Sequence, residues 1–161
     1  MAALLRELNV DRPGFDDSVM AGGLSVSGRW NLSSTDDIRY QFNVGDGMSR
    51  YIGLGVTGDA MLDRYNELHT ISSTSGYVGW RHAFSPTLRS NLIFARSQYD
   101  NEPSLTGGAA TKSVQSLRAN LMYSPLPKVD IGAEIMVGKR EIESGADGEI
   151  TRLQFTTKYS F

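Results

Sequence analysis

The sequence predicts an all-β fold, an antiparallel transmembrane β-barrel, with about eight strands supplied by the 161 residues as a single domain. Three observations lead there. Apolar and polar residues alternate with period two along most of the chain, the mark of strands whose two faces meet different surroundings. The alternating segments run to about twelve residues, against ~5–6 in soluble sheets, and a tilted strand crossing a bilayer needs ~9–11. The connections alternate between tight turns and longer polar loops, the layout of barrels that span a membrane.

Taken in order, residues 2–10 form the first strand, whose facing stays open because Leu4 and Leu8 share a side with Arg6. DRPGFDDS (11–18) reads as a polar loop, and the second strand, 19–32, sets Leu24, Val26, Trp30 and Leu32 against Arg29. After the turn SSTD (33–36), strand 37–45 sets Ile38, Tyr40, Phe42 and Val44 against Asp37 and Arg39. The stretch 45–74 is the least strand-like, and GDAMLDRYNEL within it suits a short helix with Asp59 as N-cap. Strand 75–84 carries Val78, Trp80 and Phe84 opposite Arg81; after Ser85-Pro86, strand 87–99 carries Leu88, Leu92 and Phe94 opposite Arg89, with Arg96 an exception on the apolar side. The loop DNEPSLTGGAAT (100–111) leads to strand 112–124, with Leu117, Ala119, Leu121 and Tyr123 opposite Arg118. PLPK (125–128) turns into strand 128–142, where Val129, Ile131, Ala133, Ile135 and Val137 oppose Asp130, Glu134 and Arg140. ESGADG (143–148) leads to strand 149–161, with Leu153, Phe155, Tyr159 and Phe161 opposite Arg152 and Lys158. Pro86, Pro125 and Pro127 fall where a ladder N–H is not needed.

Composition narrows the chemistry. With no Cys, disulfides, thiol catalysis and Cys-based zinc sites are excluded. No apolar run of 18 or more residues exists, so no transmembrane helix is expected. The start, MAALLRELNVDRPGFDD, lacks a basic n-region and is broken by Arg6 and Glu7, so a mature form or a piece of a longer chain is expected.

One face is therefore apolar and the other polar and basic. Either the apolar face is the core of a soluble barrel that binds a ligand, or it meets lipid while the arginines line water. Strand length and loop alternation favour lipid. So do Trp30, Phe84, Tyr123, Tyr159 and Phe161, which gather near the short-turn ends as a membrane girdle would. An eight-stranded barrel has an interior that side chains fill, and uncompensated buried charge costs several kcal/mol per ion. The basic face outnumbers its acids, so it fits a wide aqueous lumen of ~16–18 strands. The chain is accordingly read as half of a sixteen-stranded porin wall. A small closed eight-stranded barrel with a structural or adhesive role is the alternative.

The stretches GGLSVSGRWNL (22–32), DDIRYQFNVGDGMSRYIG (36–53), GYVGWRHAFSPTLRSNLIFARS (76–97) and, most specifically, residues 121–161 with YSP-x-P-x-VD and KRE…TRLQF resemble the C-terminal half of DcaP-like porins of Gram-negative bacteria. The resemblance implies a trimer of sixteen-stranded barrels in the outer membrane that passes small anionic solutes, dicarboxylates among them. Residues matching the family pattern and pointing inward are Arg39, Arg81, Arg89, Arg118 and Arg152; Arg29 and Glu134 join them as pore-lining on facing alone. The aromatic-ended last strand resembles the signal read by the barrel-insertion machinery. Lipid and lipopolysaccharide are the expected surroundings.

Other motifs carry less. GLGVTG (53–58) matches G-x-G-x-x-G, but the acid a dinucleotide site needs ~20 residues on falls at Tyr77 and Val78. His69 and His82 lack metal-ligand spacing to each other, and His82 reads as an interfacial neighbour of Trp80. Asp16-Asp17 and Asp36-Asp37 face opposite ways and read as solvated turns or divalent-ion contacts with lipopolysaccharide. No nucleophile–His–acid set, cofactor motif, metal site or nucleic-acid-binding patch is seen, and no enzyme is expected.

Overall fold

In a computed structural model, residues 1–52 and 56–161 are described. The G-x-G of the 53–58 motif falls outside them. Ten strands form among the described residues: β1 (Ala2–Arg12), β2 (Phe15–Asn31), β3 (Asp36–Asp46), β4 (Ala60–Leu62), β5 (Leu68–Thr70), β6 (Ser72–Ala83), β7 (Leu88–Asp100), β8 (Thr111–Leu126), β9 (Val129–Ile142) and β10 (Asp147–Tyr159). Two single-turn helices, α1 (Ser49–Ile52) and α2 (Pro103–Thr106), lie in loops. Eight strands make one antiparallel meander in the order β1-β2-β3-β6-β7-β8-β9-β10, and β4-β5 is a separate hairpin. The large sheet is open: β1 and β10 are its edges and do not pair with each other.

Three expectations are corrected. DRPGFDDS is not a loop: β1 and β2 continue through it to a tight turn at Pro13-Gly14, where Gly14 takes φ +103° without a side-chain penalty. ESGADG shortens likewise to the turn 143–146. GDAMLDRYNEL is a hairpin and not a helix, because Asp63 caps a turn through Asn66 at φ +66° while Met61 pairs with His69. The bulge near Pro125 shifts the β8–β9 register between Tyr123 and Leu126, so a proline sits within a strand without interrupting a ladder bond.

Among the described residues, no second layer covers the apolar face. Leu121, Ile135 and Phe155 are 49, 51 and 74 % exposed, so the soluble-core alternative has no core on that side. The buried residues Ala21, Met48, Ser49, Ile71, Tyr99 and Thr111 lie where residues 47–52 and 56–71 pack on the opposite face. Arg6 takes part in that packing, so β1 turns Leu4, Arg6 and Leu8 inward.

The apolar band runs obliquely to the ladders. One line of paired residues runs Leu24, Val44, Thr74, Gln98, Ser113, Glu141, Asp147, apolar at β2 and charged at β10. A line nearer the short turns runs Asp36, His82, Ser90, Leu121, Ala133, Phe155, with the opposite trend. A level hydrocarbon slab produces this drift only if the strands are tilted across it, as barrel closure requires.

Candidate functional site

The inner face is built from register. Asp37 of β3 stands directly opposite Arg81 of β6, and Arg29 of β2 directly opposite Arg39 of β3. Two arginines so placed would repel. Asp37 removes the conflict: its Oδ1 accepts from Arg39 Nε at 2.8 Å, and its Oδ2 accepts from Arg29 Nη2 at 3.0 Å and from Arg81 Nη1 at 3.2 Å. The carboxylate side chain is 2 % exposed, whereas those of Arg29, Arg39 and Arg81 are 53, 52 and 30 % exposed. One negative charge thus holds three positive ones, and the outer edges of the guanidiniums stay open.

A second group follows across β7–β9. Arg89 donates to Asp130 Oδ1 at 2.9 Å and to Ser124 Oγ at 2.7 Å. Glu134 faces Arg152 at 3.8 Å, while Arg140 donates to Thr111 Oγ1 at 2.9 Å. Arg118 lies on the same face, and its buried Nε has no hydrogen-bond partner among the described residues. Between the charges run neutral donors and acceptors: Gln41 donates to Asn43, Asn43 to Ser75, and Asn91 to Asn120. Charged groups and amides so spaced suit contact with water.

Residues 47–52 and 56–71 fold over the long-loop end of the inner face. Arg6 pairs with Asp59 at 2.7 Å and donates to the Gly47 carbonyl. The Leu68 amide donates to Asp17 Oδ2 at 2.6 Å, and Thr111 Oγ1 donates to the Val56 carbonyl at 3.2 Å. The site for Met48 is a glycine pair: Gly23 and Gly45 stand opposite each other, and a Cβ on Gly45 would lie 2.9 Å from Met48 Cγ. Side chains there would press on Met48 and, more closely still, on the backbone of the facing strand. In the hairpin tip, the ligand atoms of Asp63, Glu67 and His69 come within 4.8 Å of one another, a grouping that sequence spacing did not single out. The Asp63 carboxyl is held below its ordinary pKa chiefly by the Glu67 amide, then by the Tyr65 amide and His69, against an opposing effect of burial.

On the outer face, Trp30, Phe84, Tyr123 and Tyr159 are exposed, and Phe161 follows the end of β10. Asp36 turns outward, away from Asp37, and accepts from Trp80 Nε1 at 3.0 Å, with His82 Nδ1 at 2.8 Å. The His82 ring lies 5.7 Å from Trp80 and 4.6 Å, edge-on, from Phe84. Asp36 and Asp37 are therefore not two solvated turn residues: one serves each face.

A sheet that is greasy outside, hydrated and basic inside, and overlaid by an inward-folded loop is part of the wall of an outer-membrane β-barrel. The chain belongs to the DcaP outer membrane protein family, whose model matches residues 6–161. Among solved structures it is similar to the outer membrane channel DcaP of Acinetobacter baumannii, with TM-score 0.80 and 20 % identity over 99 % of this chain and 45 % of that one. It therefore spans less than half of that channel's length. No curated protein matches. The chain resides in the bacterial outer membrane.

Proposed function

We propose that the chain forms part of the wall of a passive channel whose arginine-lined lumen favours small anionic solutes such as dicarboxylates. The Asp37 cluster carries this reading. Three guanidiniums share one carboxylate, and their half-exposed side chains face the hydrated side of the sheet. Arginine stays charged at every relevant pH and presents a flat fork of donors to carboxylates. An excess of fixed positive charge raises the local anion concentration. Passage also needs each binding step to be weak enough to release the solute. Prior engagement with Asp37, Asp130 and Glu134 provides that: each arginine offers an anion only its remaining donors. Arg118 adds a further inward cation. Residues 47–52 and 56–71, held by Arg6 and Met48, narrow the passage at the long-loop end.

A lumen also needs closure. The edges of β1 and β10 call for another sheet that pairs with both, giving about sixteen strands and a bore wide enough for water. The alternative of a small closed barrel needs β1 to pair with β10, and these two strands do not pair among the described residues. Trp30, Phe84, Tyr123, Tyr159 and Phe161 act as the girdle at the short-turn interface. The last strand is the segment read by the insertion machinery, and the closed barrel assembles as a trimer in lipid and lipopolysaccharide.

The test is the reversal potential of the assembled channel in a planar bilayer under a KCl gradient. Replacing Arg81→Glu together with Arg89→Glu is expected to shift it toward cations. An unchanged potential would remove the arginine wall from the account.

A further inference from the structure

Arg96 stands on the wrong face for a pore. It alternates with Leu92 and Phe94 on β7, pairs with Gly76 of β6 and Gln115 of β8, and is exposed on the side that meets lipid. An arginine near the middle of that face would be expelled, but the penalty fades toward the interfaces. On β7 the apolar pattern stops at Phe94, and Gln98 follows Arg96, so Arg96 marks the edge of the band on the long-loop side. Short turns lie on the periplasmic side of such barrels. Arg96 is therefore level with the headgroups of the outer leaflet.

The surroundings of Arg96 form a small receptor. A hollow of about 200 Å³ opens on the outer face, floored by Phe42, Val78 and Phe94, with Arg96, Thr74 and Gln98 on its rim. The Phe42 ring leans over Gly76, where a Cβ would come within 2.6 Å of it, so the floor is continuous and apolar. Nearby cations are already engaged: Lys112 meets Glu141 at 3.0 Å, and Lys139 meets Asp147 at 2.8 Å. Arg96 has no carboxylate partner among the described residues, and its rim neighbours are neutral hydrogen-bonding groups.

From this we infer that the hollow on β3, β6 and β7 binds a phosphorylated glycolipid of the outer leaflet. An acyl chain lies on Phe42, Val78 and Phe94, and a headgroup phosphate sits against Arg96. Charge complementarity selects the occupant: a guanidinium with no counter-ion, level with a layer of phosphates, offers paired donors to a phosphate oxygen pair. Thr74 and Gln98 add neutral donors. The inference rests on the outer face meeting lipid and is independent of solute selectivity.

Native mass spectrometry of the assembled channel in detergent, with heat-modifiable gel mobility as the check on folding, tests it. Three probes are compared: bisphosphorylated lipid A, the same lipid A after dephosphorylation, and phosphatidylglycerol. The wild type is expected to hold lipid A about tenfold more tightly than the dephosphorylated form, and Arg96→Gln to lose that preference. Arg96→Lys, which keeps a charge without the fork, is expected to fall between. Equal retention of lipid A by folded Arg96→Gln would overturn the site. Phosphatidylglycerol bound as tightly, with the same dependence on Arg96, would overturn the assignment to a glycolipid. Either failure leaves the channel reading to its own test of reversal potential.

Discussion

Asp37 lies directly across the β3–β6 ladder from Arg81, yet its carboxylate also gathers Arg29 and Arg39, so one nearly buried acid joins three strands. This relationship yields two effects of opposite sign from one substitution. Asp37→Asn keeps the shape and removes the charge. Three guanidiniums are then left without a counter-ion, and stability is expected to fall by about 2–3 kcal/mol, below the full cost of breaking a buried pair because the arginines are partly solvated. The same change is expected to raise anion preference. Urea unfolding in micelles measures the first, and reversal potential the second. A variant that is both as stable and as selective as the wild type would show that Asp37 does not organise the cluster.

Arg6 and Asp59 tie segment 47–71 to the wall through side chains only 17 and 16 % exposed. Arg6→Ala leaves Asp59 without its partner in a largely buried place, and the segment is expected to detach. Limited trypsin digestion would report this as faster cutting after Arg50 and Arg64, with the sheet itself left intact. Cutting rates equal to those of the wild type would mean that Met48 on the Gly23–Gly45 pair, with the hydrogen bonds to Asp17 and Thr111, holds the segment without Arg6.

How much of this was legible in the sequence follows from period two. Each strand of the large sheet writes its two faces directly into its residues, so the faces of β2, β3 and β6 to β10 could be read from alternation alone. The exposed Leu121 and Ile135 lie on the side that reading placed toward lipid. The strand ends were harder, because outside the hydrocarbon layer both faces are polar. Asp16 and Asp17 therefore looked like loop when they belong to β2. The β4–β5 hairpin was misread because the spacing of Met61, Leu62 and Leu68 also fits a helix; the missed cue was Asp63 followed by Asn66, a pair suited to an Asx turn with a left-handed residue. The Asp37 cluster could not be assigned from composition. Its three arginines come from different strands, and the contact exists only once register is fixed. Glu134 shows the same limit: Arg152 stands diagonally across the β9–β10 ladder, and the contact exists only once that register is set.

The hairpin tip carries a pH dependence. Asp63 titrates below its ordinary value because the Glu67 and Tyr65 amides donate to its ionised form. A depressed folded pKa stabilises the folded turn at pH above the unfolded value, near 4, and this contribution disappears as pH falls through the folded value. Hydrogen exchange at the Tyr65 and Glu67 amides is expected to be slow at pH 6 and to lose protection in strong acid. Asp63→Ala should remove protection at both pH values. Protection unaffected by the substitution would assign the order of the tip to β4–β5 pairing instead.

The central claim concerns which face meets lipid, and the absence of Cys makes it directly measurable with single introduced cysteines. Spin labels at Leu121→Cys and Ile135→Cys on one face, and at Gln41→Cys and Asn91→Cys on the other, would be compared in reconstituted bilayers. The first pair is expected to relax with lipid-soluble oxygen, and the second with a water-soluble nickel chelate. Nickel accessibility at Leu121 and Ile135, with oxygen accessibility at Gln41 and Asn91, would contradict the account.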